Sequence, residues 1–372
     1  DELNRRESVT DALANSTYFG YDEAGNQTRV TNALDQTTYF YFDELNRNKG
    51  VIDALGNEVY FEYDEAGNQT TVVDARGYAS YSEYDSLNRL SATIDALGNQ
   101  SDFGYDENGN LVSSTDPLAH STYYGYDRLN RLEAMTDALE NTTYFGYDPN
   151  GNRTSMKDAR GNVTAFGYDP LNRLTSITDA LSQSEYYGYD ENGNLLSEKH
   201  ADLQVIYFAY DQLNRQTQIQ YPDETNDFAY DPASNLESMT DPHGATYFGY
   251  DPLNRLISEK SPGGDFTHWQ FDAASRRTQI SIQEGGTGGY GKQSYGPSAY
   301  GGGPGAAAAT YYGYDRAGRM TTATDLTGQA QTYYQFDENG NLTRKQLANG
   351  VYTYFAYDNA NRLVSLHNCK AD

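Results

Sequence analysis

One interval governs this chain. An aspartate recurs at Asp1, Asp22, Asp43, Asp64, Asp85, Asp106, Asp127, Asp148, Asp169, Asp190 and Asp211, ten successive steps of 21 residues. The series continues through Asp231, Asp251, Asp272, Asp315, Asp337 and Asp358. The long step from Asp272 to Asp315, 43 residues, equals 21 plus 22 and reads as a unit that lost its marker and kept its place. A period held this often means a continuous array, in which each unit buries its faces against its neighbours. The array is expected to span 1–372 as one object: regular over 1–230, less regular over 231–284, a Gly-rich loop over 285–305, and final repeats over 306–372. Asp1 stands as a marker without its tyrosine, so the chain reads as a piece of a longer one.

Within a unit the pattern is strand, tight turn, strand, tight turn. Thr17-Tyr18-Phe19-Gly20-Tyr21 is aromatic and alternating, which favours a strand. Tyr18 and Gly20 share one face, and Phe19 and Tyr21 share the other. Glycine recurs at that place in the strand (Gly104, Gly125, Gly146), leaving a hole that a neighbouring ring could cover. The marker aspartate opens a hairpin turn, where its carboxylate can accept backbone N–H bonds. Three residues later stands Gly or Asn in 15 of 17 units, and Ser234 or Ser275 in the other two. Gly and Asn tolerate positive φ, as a type I turn followed by a left-handed residue requires. Structural turn residues by this logic include Asp22, Gly25, Asp43, Asn46, Asp64, Gly67, Asp85 and Asn88. Connecting turns such as Asp53-Ala54-Leu55-Gly56-Asn57 close each unit. No helix of any length is expected.

A slower rhythm lies on top. Turns reading Leu-Asn-Arg (Leu45-Asn46-Arg47, Leu87-Asn88-Arg89) alternate with turns reading Ala-Gly-Asn or Asn-Gly-Asn (Ala66-Gly67-Asn68, Asn108-Gly109-Asn110). The true repeat is then 42 residues. The Leu-Asn-Arg tips are predicted to pack, with Leu covered and Arg paired to an aspartate of an adjoining unit. The alternative is duplication of a 42-residue segment with no structural meaning.

Seventeen or more hairpins amount to on the order of 35 strands, and open twisted sheets rarely exceed about 10 without curling. The fold class is therefore all-β: tandem hairpins in one long coiled sheet, as a hollow β-shell, a spiral barrel or a helical fibre. The chain carries 36 Tyr and 14 Phe, enough to build a sheet poor in Leu and Val. Its net charge of −27 argues against nucleic acid and anionic membranes as partners. No apolar run approaches the ~20 residues of a membrane-spanning helix. The single cysteine, Cys369, rules out an internal disulfide framework.

The motif of Tyr126-Asp127-Arg128-Leu129-Asn130-Arg131-Leu132, and of Tyr314-Asp315-Arg316-Ala317-Gly318-Arg319-Met320, resembles the YD repeat of the Rhs, teneurin and insecticidal-toxin-complex superfamily. The resemblance covers nearly the whole chain and holds register. It implies a spiralling β-sheet that encloses a hollow shell. In bacterial members that shell sequesters a toxic C-terminal segment, and in animal members it belongs to an extracellular adhesion receptor.

Motifs with catalytic or binding chemistry are weak beside this. Gly286, Gly288 and Gly291 satisfy G-x-G-x-x-G, and Gly286, Gly291 and Lys292 nearly satisfy a phosphate loop, but Gln293 stands where Ser or Thr is needed. Neither has a strand before it and a helix after, so a flexible loop is expected there. The histidines His120, His200, His243, His268 and His367 show no metal-ligand spacing. Turns such as Asp106-Glu107-Asn108-Gly109-Asn110 suggest calcium bridging between stacked turns, with Asp106, Asn108, Asp190 and Asn192 as candidate ligands. Asn-x-Ser/Thr at Asn15, Asn26, Asn68, Asn99, Asn141, Asn152, Asn162 and Asn341 offers glycosylation acceptors in a secreted protein. No catalytic residues and no cofactor are expected. The leading expectation is a non-catalytic scaffold, the wall of an extracellular or cell-surface shell or filament. Its partners would be further copies of itself or other parts of its own chain. The alternatives are a shell for a toxin or peptide cargo, and an adhesion or glycan-binding surface that exposes rows of tyrosine (Tyr18, Tyr39, Tyr60).

Overall fold

The structure, a computed structural model, describes residues 1–283, 308–328 and 330–370. Among these residues there is no helix. Thirty-three strands, β1 to β33, form one antiparallel sheet. Each strand pairs with the strand before and the strand after it in sequence, and nothing joins the first strand to the last. β2 (Ser16–Tyr21) and β3 (Gln27–Thr31) set the pattern: Tyr18 faces Thr31, Phe19 faces Val30, and Gly20 faces Arg29. The register then shifts, so that Tyr21 faces Gln27. The same bulge recurs beside each marker aspartate, for example at Gly125/Tyr126 and Gly249/Tyr250.

The bulge follows from the turn. The Asp22 amide donates to the Asn26 carbonyl, and the Gly25 amide donates to the Asp22 carbonyl. Residue 25 sits at φ +93°, and its asparagine equivalents Asn46, Asn88 and Asn130 sit near +60°. This is the left-handed position that the sequence reserves for Gly or Asn. The connecting turns close in the same way, with Gly56, Gly98 and Gly161 at φ +82° to +88°.

Two readings of the sequence need correction here. The 43-residue step holds one unit, not two. β27 (Arg277–Gln283) is hydrogen-bonded directly to β28 (Ala308–Tyr314), with Gln279 opposite Tyr311, so no hairpin lies between them in the sheet. The Gly-rich segment and its phosphate-loop lookalikes fall outside the described residues. Nor do aromatic rings cover the glycines at the place the sequence singled out, Gly104, Gly125 and Gly146. A Cβ on Gly104 would come within 2.5 Å of Ser113 Oγ, and one on Gly146 as close to Ser155 Oγ. At these glycines a serine hydroxyl on the next strand occupies the space beside the Cα, and where alanine stands at the same place, as at Ala229 opposite Ser238, the hydroxyl must turn aside.

The sheet is a single layer, so its core is thin. Ala92 and Ala309 are its buried apolar residues among those described. One face carries the apolar pairs Phe19/Val30, Phe61/Val72 and Phe166/Ile177. The other carries tyrosines opposite small residues: Tyr60/Gly50, Tyr81/Thr71 and Tyr144/Ala134. Large-next-to-small pairing lets each ring lie over its neighbour, which buries Gly50 and Thr71.

Gly109 tests the turn rule. It stands at φ +89°, and nothing would touch an added Cβ. Gly109→Val is therefore expected to cost about 1–2 kcal/mol through backbone strain alone, while Gly109→Asn costs much less. Hydrogen exchange of the amides in the flanking strands measures the difference.

Candidate interaction edges

All the hairpin turns lie along the two long edges of the ribbon. On one edge each marker aspartate works as a clamp. Asp43 Oδ1 accepts from the Leu45 and Arg47 amides at 2.9 and 3.0 Å, and Oδ2 accepts from Arg47 Nε at 2.7 Å. In the alternate turns Asn68 takes the arginine's place, its Nδ2 donating to Asp64 Oδ2 at 2.8 Å. These hydrogen bonds hold the carboxyls below the usual range. The Asn68 side chain is the leading cause at Asp64, and the Arg47 backbone amide leads at Asp43.

The 42-residue alternation has a structural meaning. Arg47 Nη1 reaches across to donate to the Asp64 carbonyl of the next unit at 2.9 Å, and its guanidinium lies 4.7 Å from the Tyr63 ring centroid. Asn68 Nδ2 then donates to Asn88 Oδ1 of the unit after, at 3.0 Å. Arg89 repeats the first contact on Asp106 and Tyr105, and Asn110 repeats the second on Asn130. Over the regular stretch the long donor lies beside a glycine turn and the short donor beside an asparagine turn, while Arg215 and Arg255 reach turns that carry Ser234 and Ser275 instead. The two turn types interlock in alternation. The tyrosine of each Tyr-Asp pair adds a third link: Tyr126 Oη donates to the Leu111 carbonyl one unit back at 3.0 Å.

The expected pairing of arginine with a neighbouring aspartate is thus half right. The carboxylate it binds is its own unit's, and it binds the neighbour through a backbone carbonyl. The expected covering of leucine fails for most tips. Leu45, Leu87, Leu129, Leu171 and Leu213 are 66–68% exposed. Leu253, in the same place, is half-buried. The turn of Leu253 differs from the others in that its Arg255 lies within electrostatic reach of Asp11, far back in the chain.

The ribbon coils until its opposite edges meet. Arg76, in the connecting turn between β7 (Gln69–Val73) and β8 (Ala79–Tyr84), donates to the Asp358 carbonyl at 3.0 Å and to Asn361 Oδ1 at 2.6 Å. Its Nη1 lies 3.8 Å from Asp337 Oδ2, and Asn339 Nδ2 donates to Asp74 Oδ2. Arg362 lies 3.6 Å from Asp95, and the charge of Arg255 reaches Asp11. The turn after β1 (Ser8–Thr10) therefore faces the turn after β24 (Gly244–Tyr250). The turn after β7 faces that after β30 (Gln331–Phe336), and the turn after β9 (Leu90–Ile94) faces that after β32 (Val351–Tyr357). The strand number advances by 23 in these pairs, and by 25 where Arg76 also reaches Asp358 and Asn361 in the turn after β32. An odd number is required, because a connecting turn meets a marker turn.

Leucines on the covered stretch record this seam. Leu13, Leu55 and Leu97 are 40–44% exposed, and Leu34 is half-buried. Sequence reasoning did not find the seam. Arg76 stands where many connecting turns carry leucine, but Arg160 does so too, so the residue type alone does not mark the seam.

The other predicted residues fall as follows. Asp106 and Asp190 stand in turns four units apart, each carboxylate engaged by its own Asn110 or Asn194. Asn192 Nδ2 donates to Asn214 Oδ1, and Asn108 belongs to the turn of Asp106. The four calcium candidates are not brought together. Among the described residues no three His, Cys, Asp or Glu side chains are grouped to hold a metal ion. Each Asn-x-Ser/Thr asparagine donates its Nδ2 to a turn aspartate: Asn15 to Asp11, Asn26 to Asp22, Asn68 to Asp64, Asn99 to Asp95, Asn141 to Asp137, Asn152 to Asp148, Asn162 to Asp158 and Asn341 to Asp337. The atom that would carry a glycan is already part of the turn. His120 pairs with its turn aspartate Asp116, and Cys369 is a half-buried free thiol. The tyrosines four residues before the marker, including Tyr18, Tyr39, Tyr60, Tyr123 and Tyr207, are 44–56% exposed.

Comparison with known proteins places the repeat. The RHS repeat model matches residues 63–142 in overlapping copies, then 147–204, 250–287 and 336–368, more than half of the chain. No curated protein matches the sequence. Among solved structures, TcdB2-TccC3-TEV superposes over 96% of this chain with a TM-score of 0.51 at 14% identity. A mutant Tc holotoxin pore of Photorhabdus luminescens does so over 96% with a TM-score of 0.52 at 14% identity. The chain spans about a quarter of the length of each: 25% and 24%. These likenesses establish the fold.

The lowered aspartates predict an acid transition. Their folded pKa values lie below the unfolded value of about 4, so the clamps stabilise the fold above that pH. Their contribution is lost as pH falls through the lowered values. Thermal melts at falling pH are expected to drop steeply only below about pH 4; Asp127→Asn is expected to flatten that drop locally, read by hydrogen exchange around Asn130.

Proposed function

This chain belongs to the RHS repeat family, and on that premise we propose that it forms the non-catalytic wall of a hollow shell that sequesters a peptide or protein cargo. The seam carries this reading. A ribbon whose opposite edges bond every 23 to 25 strands closes sideways into a tube. At about 4.8 Å per strand the circumference is roughly 110 Å and the diameter about 35 Å. Side chains on the inner face leave a lumen of roughly 25 Å, since packed faces need about 10 Å between sheets. An unfolded segment fits such a space and a folded domain of ordinary size does not. The solved relatives are parts of toxin complexes, which favours cargo over an empty fibre, and a secreted or cell-surface location follows from that analogy.

The wall needs no reaction centre, and the reading assigns none. Nor does it need a cation, because every turn carboxylate named above already has its hydrogen-bond donors. Addition of a chelator is expected to leave the melting temperature unchanged; a fall of several degrees would restore calcium bridging between turns. Negative-stain images and small-angle scattering of the purified chain are expected to give short hollow cylinders. Extended, unwound ribbons or solid globules would end the shell reading.

A glycan-binding face is the second reading, and the exposed tyrosine row favours it. Where the row is unbroken the rings recur on every second strand, about 10 Å apart; it is interrupted, as at Asp102, Ala165 and Asp227, and hydroxyls such as those of Thr71 and Ser113 lie opposite the rings of Tyr81 and Tyr123. Flat phenol rings with nearby hydroxyls suit stacking on a neutral polysaccharide, and the acidic chain would repel an anionic one. Pull-down on insoluble β-linked glucans, with Tyr123→Ala and Tyr144→Ala as controls, decides it.

A further inference from the structure

The seam covers only part of each edge. Connecting turns from Asp11 to Asp95 lie beneath the last marker turns, and their leucines are 40–44% exposed or less. Past that stretch the same turn position is bare: Leu118, Leu139 and Leu181 are 76–82% exposed. Arg160 stands among them, in Asp158-Ala159-Arg160-Gly161, the same four residues as Asp74-Ala75-Arg76-Gly77. The opposite edge shows the matching deficit. Leu45, Leu87 and Leu129 are 66–68% exposed, while Leu253, docked in the seam, is half-buried.

We propose that these bare stretches are the two halves of one docking surface, and that their occupant is a second copy of this chain stacked on the same coil axis. The marker-turn edge of one copy sits on the connecting-turn edge of the other. The argument is continuity with an interface the molecule already makes. Inside one chain, a marker edge carrying Leu253 and Asn361 covers a connecting edge carrying Leu13 and Arg76. Between copies, the marker edge of Leu45, Leu87 and Leu129 meets the connecting edge of Leu118, Leu139 and Leu181. Arg160 supplies the donor that Arg76 supplies within the seam, aimed at a marker turn's backbone carbonyl and an asparagine side chain. Such a contact is head-to-tail and need not close, so it extends into a stack. This proposal rests on the coiled ribbon of the shell reading, but not on what the lumen holds.

Two variants test it together. One carries Leu118→Glu, Leu139→Glu and Arg160→Glu on the connecting edge. The other carries Leu45→Glu, Leu87→Glu and Leu129→Glu on the marker edge. The leucines are exposed, so both variants are expected to keep the parent's circular dichroism and melting temperature. Sedimentation velocity of the parent is expected to show mass rising with concentration above the 41.5 kDa of one chain. Each variant alone is expected to stay at one chain's mass. Mixed one to one, they are expected to give a dimer that goes no further, because each retains one intact half. A parent that remains a monomer at every concentration, or variants that associate as the parent does, would overturn the proposal. Hollow monomers in the micrographs would sink the stacking and leave the wall; unwound ribbons would sink both.

Discussion

The fold depends on one carboxylate doing the same task at each turn. An aspartate at the first position of a bulged hairpin turn accepts two backbone amides with one oxygen and a side-chain donor with the other. That arrangement satisfies groups that would otherwise be free at a tight reversal, and it fixes which residue takes the left-handed conformation. Once that position is fixed the bulge is fixed, and with it the register of the next strand. A one-residue slip would move every tyrosine to the opposite face, so the clamp also decides which face is aromatic. The clamp works without burial, which suits a single-layer wall with solvent close on both sides.

The second element is the alternation of donors along the marker edge. Arg47, Arg89 and Arg131 each tie three things: their own aspartate, the next unit's backbone carbonyl, and the next unit's aromatic ring. A lysine could not hold all three, because it lacks the planar fork. The asparagine turns between them are shorter bridges. Together they convert a stack of hairpins into a chain of bonded turns, so curvature is set locally and repeats without drift. A uniform curvature is what allows edges 23 to 25 strands apart to arrive in register.

Much of this could be read in the sequence, and the reason is periodicity. The interval of 21 residues, the Gly-or-Asn rule three residues on, and the tyrosine opposite small residues are local properties, repeated often enough to stand clear of noise. What could not be read depends on long-range closure. Arg76 and Asp358 are 282 residues apart. Nothing in either turn names the other, because the pairing follows from the curvature of the whole ribbon. The same holds for leucine. Leu171 and Leu253 both stand in Asp-Pro-Leu-Asn-Arg, yet the first is 67% exposed and the second half-buried. The serine opposite strand glycines such as Gly104 and Gly146 lay in plain view, yet a pattern argument favoured a ring.

The thinness of the sheet has a thermal consequence. Unfolding most domains exposes a large apolar interior, and the resulting heat-capacity change bends the stability curve downward on both sides of its maximum. Here the side chains are largely half-wetted already, and Ala92 and Ala309 stand in for a core. Melting this wall transfers little additional hydrocarbon to water per residue. Its stability should vary gently with temperature, resisting cold as well as heat, and should draw its cooperativity from the number of bonded turns.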